Sequence, residues 1–185
     1  MIRVLSDKIT EFLFQQGKIT VEEKELCRYG LIQGMRMMIN FATALVIGLL
    51  IGMGWQSMVF MLTFIPIRSY AGGYHAQTPV RCYLFSILIV TVSLLGLKYM
   101  ELDFRVFLFI MAVSSGIIFF VAPLESSNKP LSETELCIYR RRTRLGLVIV
   151  LVFMAVLYPF KPEISGSMLY AIAVLAILLI MGKIK

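Results

Sequence analysis

The stretch VFLFIMAVSSGIIFFVA, from Val106 to Ala122, runs for seventeen residues without a charged side chain. An apolar run of that length reads as a helix that crosses a bilayer, and four others resemble it: Met38 to Met53, Tyr83 to Leu97, Leu145 to Tyr158 and Met168 to Met181. The chain as a whole, 185 residues with 59% hydrophobic and 16% charged side chains and a mean hydropathy of +0.85, is too apolar for a soluble globular domain. The expected fold class is therefore all-α: a polytopic membrane protein of about six transmembrane or re-entrant helices, forming a single integral membrane domain over residues 1–185.

The expected spans are Met37 to Gly54, Gln56 to Ile67, Cys82 to Leu97, Val106 to Ala122, Leu145 to Tyr158 and Ser167 to Met181. The second is the weakest, because it is short and holds Pro66, which removes a backbone donor; a re-entrant or tilted segment is the alternative. Residues 1–36 form a cytoplasmic or interfacial region. Within it Leu5, Ile9, Phe12 and Leu13 recur at helical spacing, which predicts an amphipathic helix lying in the interface. Thr20 with Glu23 makes a capping box that starts a second helix leading into the first span. The segments Glu25 to Tyr29 (ELCRY) and Glu135 to Tyr139 (ELCIY) match at four of five positions, which fits either a duplication or chance.

The formal net charge of +7 would suggest nucleic acid in a soluble domain; here it reads as topology. With the N-terminus cytoplasmic, fifteen of the eighteen Lys and Arg fall on the inside and only Lys98, Arg105 and Lys161 outside. That split puts both termini in the cytoplasm, together with the loops 68–81 and 123–144. Removing the second span would send Arg140 to Arg144 outside. Lys129 and the Arg140 to Arg144 cluster could steer an acidic segment or attract anionic membrane lipid.

The loop between the second and third spans gathers Arg68, Gly72, Gly73, the single histidine His75, Thr78, Pro79, Arg81 and Cys82. The glycine pair permits a sharp turn, and Thr78 followed by Pro79 reads as an N-cap and first helical residue, placing Cys82 in the opening turn of the third span. A helix N-terminus beside cationic groups favours the thiolate, the nucleophilic form of cysteine. His75 and Cys82 would lie about 10.5 Å apart along a continuous helix, so proton exchange needs the breaks at Gly73 and Pro79. On these residues alone His75 is equally a solvated interfacial side chain and Cys82 inert packing. One histidine and one cysteine cannot close a tetrahedral zinc site, so no metal and no cofactor are expected.

The string Arg68, Gly72, Gly73, His75, Ala76, Thr78, Cys82, with the later Ala122-Pro123 to Asn128-Lys129-Pro130-Leu131, resembles the signature of the accessory gene regulator B family, membrane cysteine endopeptidases of Gram-positive quorum sensing. The resemblance implies that His75 and Cys82 are the catalytic pair, that Arg68 and Gly73 support activity, and that Lys129 is the functional basic residue of the later loop. It implies a propeptide substrate whose C-terminal tail is removed and whose new carboxyl is cyclised to a thiolactone or lactone, a homodimer, and residence in the cell membrane. Gly72 joins this supporting set, and Glu125 and Asn128 are candidates to orient His75 across the fold. The rival reading is a non-catalytic transporter or an assembly partner for a peptide. Coupled transport is disfavoured because no ionisable side chain sits mid-span.

Overall fold

The computed structural model describes residues 2–73, 78–100, 102–124 and 132–184, apart from the Pro79 side chain. It is all-helical: α1 (Ile2–Gln15), α2 (Val21–Ile51), α3 (Gly54–Ala71), α4 (Pro79–Tyr99), α5 (Phe104–Val121), α6 (Glu133–Leu157) and α7 (Pro162–Ile184). Each of the six expected spans falls on one of the helices α2 to α7. Four of these, α2, α4, α5 and α7, are long and apolar enough to cross a membrane. The chain divides into two compact units, Met1–Thr43 and Ala44–Lys185.

In the first unit α1 and the beginning of α2 form a hairpin closed by a turn at Gly17 (φ 66°). The capping box is present, with the Thr20 N–H donating to Glu23 Oε2 at 2.9 Å and the Glu23 N–H to Thr20 Oγ1 at 3.3 Å. Ion pairs Lys24–Glu11 (2.6 Å) and Arg28–Asp7 (2.5 Å) join the two helices across a seam where Ser6 and Thr10 are buried. The amphipathic character of α1 is as expected, but its polar side is what packs: Leu5 and Phe12 stay exposed while the carboxylates face their partners. Exposed pairs of this kind contribute at most about 1 kcal/mol each, so they set register more than stability.

The second unit is organised around α7, which packs against α3, α4, α5 and α6. Leu169, Ile172, Leu175 and Leu179 are essentially inaccessible, and Ser165, Gly166, Ser167 and Ala171 let neighbours approach closely. Hydroxyls inside the unit find carbonyls on other helices: Ser165 Oγ donates to Met154 O (3.1 Å) and Ser57 Oγ to Ala44 O (2.7 Å). The outer faces are apolar as well. Leu84, Leu88 and Val92 on α4, Phe109 and Val113 on α5, and Leu145, Val152 and Val156 on α6 are all exposed, as a lipid environment requires.

Two differences from the sequence reading matter. Helix α3 continues unbroken through Pro66, spanning 18 residues or about 27 Å, rather than ending near Ile67. Helix α6 begins at Glu133, behind a complete Ser132–Glu135 capping box, so Arg140 to Arg144 lie on a helix and not in a loop. The cap makes the extension possible, and packing against α3 and α7 sustains it. Gly48 serves an intrachain contact, one of the two roles its spacing from Gly52 allows: a Cβ there would come within 2.4 Å of Ser57 Cβ, which brings the end of α2 against α3.

Gly48→Leu should therefore force α2 and α3 apart and lower stability by about 1–3 kcal/mol. Ser57→Ala, which removes only the 2.7 Å hydrogen bond, should cost roughly 0.6 kcal/mol. Thermal unfolding in detergent distinguishes the two; equal losses would contradict the close contact.

Candidate functional site at the start of α4

Helix α4 opens as its sequence directs. Thr78 is extended (φ −124°, ψ 147°), its Oγ1 accepts from the Arg81 N–H at 3.3 Å, and Pro79 begins the helix. The Cys82 N–H donates to Thr78 O at 3.0 Å, so Cys82 occupies the first turn, half-buried. The helix break needed between Gly73 and Pro79 exists, because α3 has ended at Ala71.

The end of α3 is shaped by two glycines with positive φ, Gly72 (72°) and Gly73 (118°). Both are also pressed against other backbone. A Cβ on Gly72 would lie 2.2 Å from Leu124 O, and one on Gly73 would lie 3.0 Å from an Arg68 guanidinium nitrogen and 3.4 Å from Leu178 O of α7. Gly72 and Leu124 form an isolated parallel bridge, and the Leu124 N–H donates to Ala71 O at 2.9 Å. The chain leaving α5, after the cis Ala122-Pro123 bond, is thus bonded to the chain leaving α3.

Arg68, in the last turn of α3, is half-buried against Phe64, with its guanidinium carbon 5.7 Å from the ring centre, and its Nη1 donates to Gly72 O at 3.4 Å. The guanidinium lies within electrostatic reach of Cys82. Arg68, Gly72 and Gly73 are thus in contact at the end of α3, and Arg68 is coupled electrostatically to Cys82 of a different helix. The other expected site residues, His75, Glu125, Asn128 and Lys129, lie outside the described residues.

A second cluster supports the same end of α3. Arg142 of α6 donates to the Tyr70 hydroxyl at 3.0 Å, with its guanidinium carbon 5.1 Å from the Tyr70 ring centre, and Tyr139 meets Tyr70 edge-on at 5.6 Å. Sequence reading missed this support and the Leu124 bond. Tyr70 sits within the signature string and Arg142 within the arginine cluster, but pairing residues 72 positions apart requires the tertiary fold.

The chain matches the accessory gene regulator B family over residues 6–181. An AgrB-like protein of Clostridium perfringens strain SM101 is 26% identical over 164 residues, covering 85% of this chain and 77% of the relative. The accessory gene regulator protein B of Staphylococcus saprophyticus is 25% identical over 183 residues, 96% of this chain and 94% of the relative, and that of Staphylococcus aureus strain Newman is 25% identical over 134 residues, 70% and 69%. No solved structure matches the chain.

Gly72→Ala should destabilise the protein by at least about 1–2 kcal/mol, the cost of a left-handed conformation with a Cβ, and should break the Leu124 bond through the added clash. Gly116→Ala, where a Cβ meets nothing within 4 Å, is the control and should be neutral or stabilising. The measurements are thermal unfolding and hydrogen exchange at the Leu124 amide; protection unchanged in Gly72→Ala would contradict the contact.

Proposed function

Because this chain belongs to the accessory gene regulator B family, we propose that it is a membrane-embedded cysteine endopeptidase that trims and cyclises a short quorum-sensing propeptide, with Cys82 as nucleophile and His75 as its acid–base partner. The observation that carries the reading is Cys82 in the first turn of α4, with the Arg68 guanidinium within electrostatic reach of it, in a chain matched to the family nearly end to end. In this scheme His75 takes the Cys82 thiol proton, the Sγ thiolate attacks the scissile carbonyl and a tetrahedral oxyanion forms. The carbon–nitrogen bond then breaks as His75 gives its proton to the departing amine of the tail. The acyl group is left as a thioester on Cys82.

The propeptide's own thiol or hydroxyl passes its proton to the now neutral His75, attacks that thioester carbonyl, expels the Cys82 thiolate and closes a thiolactone or lactone. Arg68, within electrostatic reach of Cys82, supplies positive charge that favours the developing oxyanion. A site at the edge of a bilayer, with little bulk water, disfavours hydrolysis of the thioester. Forming a thioester from a peptide bond is intrinsically uphill, so departure of the tail or of the ring draws the sequence forward.

The bond between Leu124 and Ala71 supports a shared role for the two loops, since Glu125, Asn128 and Lys129 follow Leu124 directly in the chain. We place both termini and both loops in the cytoplasm on the fifteen-to-three division of basic residues, with α3 and α6 also crossing and two copies associating.

Co-expression with the propeptide encoded beside the gene tests the proposal. Wild type should release the tail fragment, detected by mass spectrometry, whereas Cys82→Ala and His75→Ala should release none at equal membrane levels. Arg68→Gln should lower cleavage about 100-fold, as loss of an oxyanion-stabilising group does. Undiminished cleavage by Cys82→Ala would refute the enzyme and leave a transporter or assembly partner.

A further inference from the structure

Four arginines, Arg140, Arg141, Arg142 and Arg144, precede the apolar length of α6 that begins at Leu145. Arg142 is engaged by Tyr70. The guanidinium carbon of Arg144 instead lies 4.1 Å from the centre of the Phe119 ring on α5, at the seam between α5 and α6. Its Nε is shut off from solvent without a hydrogen-bond acceptor, and none of Arg140, Arg141 and Arg144 has a carboxylate partner among the described residues.

A guanidinium is always charged and carries five N–H donors; stacking on a ring satisfies its face and leaves its edges. Leaving a buried donor unpaired costs about 1–3 kcal/mol, so the arrangement calls for an acceptor from outside the protein. Phosphate fits, because its oxygens match the guanidinium fork. The surroundings select which phosphate. Arg141, Arg144, Leu145 and Val148 fall at i, i+3, i+4 and i+7 on one stripe of α6, with Arg140 one turn before Arg144. Leu145 (62% exposed), Val148 (55%) and Phe120 (83%) offer apolar surface directly beyond the arginines. A charged group followed by apolar surface is the profile of a phospholipid.

We propose that the α5–α6 seam binds the phosphate of an anionic phospholipid, held by Arg144 on Phe119 with Arg140 and Arg141 beside it, while the acyl chains cover Phe120 and Val148. The three unpaired positive charges favour a net anionic headgroup over a zwitterionic one.

The test uses the full chain in phosphatidylcholine nanodiscs doped with spin-labelled lipid, and reads the association of phosphatidylglycerol relative to phosphatidylcholine. Wild type should prefer phosphatidylglycerol about fivefold, the contribution expected of one well-placed arginine at a membrane surface. The preference should fall below about twofold in Arg144→Gln. It should fall partway in Phe119→Leu, which keeps the charge and removes the platform, and in the Arg140→Gln/Arg141→Gln pair. These two also carry the test if Arg144→Gln does not fold. Lys161→Gln, exposed between α6 and α7, should leave it unchanged. Equal association of both lipids with wild type, an undiminished preference in the seam variants, or displacement of the labelled lipid by millimolar inorganic phosphate would overturn the proposal.

Discussion

Helix α7 has no polar face, and α3, α4, α5 and α6 all pack against it. Lipid tails are as apolar as leucine, and covering α7 is therefore a matter of packing and hydrogen-bond satisfaction rather than escape from water. Small residues at Ser165, Gly166, Ser167 and Ala171 answer the first requirement; a Cβ on Gly166 would already lie 2.7 Å from Leu97 Cδ1. The hydroxyl of Ser165, bonded to Met154 O, answers the second. The outward faces of the surrounding helices then carry the side chains that in a soluble bundle would be inside.

The candidate site inherits its shape from this core. Gly73 rests against the backbone of Leu178 near the end of α7, Gly72 against Leu124 after α5, and Arg142 of α6 holds Tyr70 in the last turn of α3. Three elements thus converge on the exit from α3. Cys82 needs less support, since a threonine cap and a proline suffice to start its helix. Cys82 is placed by local sequence, and the end of α3 by the bundle.

What was legible in the sequence follows the same division. Apolar run length revealed every helix from α2 to α7, because a span must satisfy its backbone within itself and so writes its length into consecutive residues. The Thr20–Glu23 box and the Thr78–Pro79 start were equally plain, being interactions between residues three apart or adjacent. Helix continuation through Pro66 was not. Proline's local cost argues for a break, and only packing of α3 against α6 and α7 outweighs it.

The arginine cluster shows the limit most clearly. In sequence Arg140, Arg141, Arg142 and Arg144 are interchangeable positive charges, and charge alone determined their reading as a topological signal. Helical geometry and the neighbouring helices separate them: Arg142 goes to Tyr70 of α3, Arg144 to Phe119 of α5. The amino-acid sequence by itself determined the solvent, the number of apolar runs and the start of the helix bearing Cys82, since each depends on residues close along the chain. Only the tertiary structure decided that Leu124 bonds to Ala71 and that Arg68 comes within electrostatic reach of Cys82, because those pairs lie in separate helices or loops.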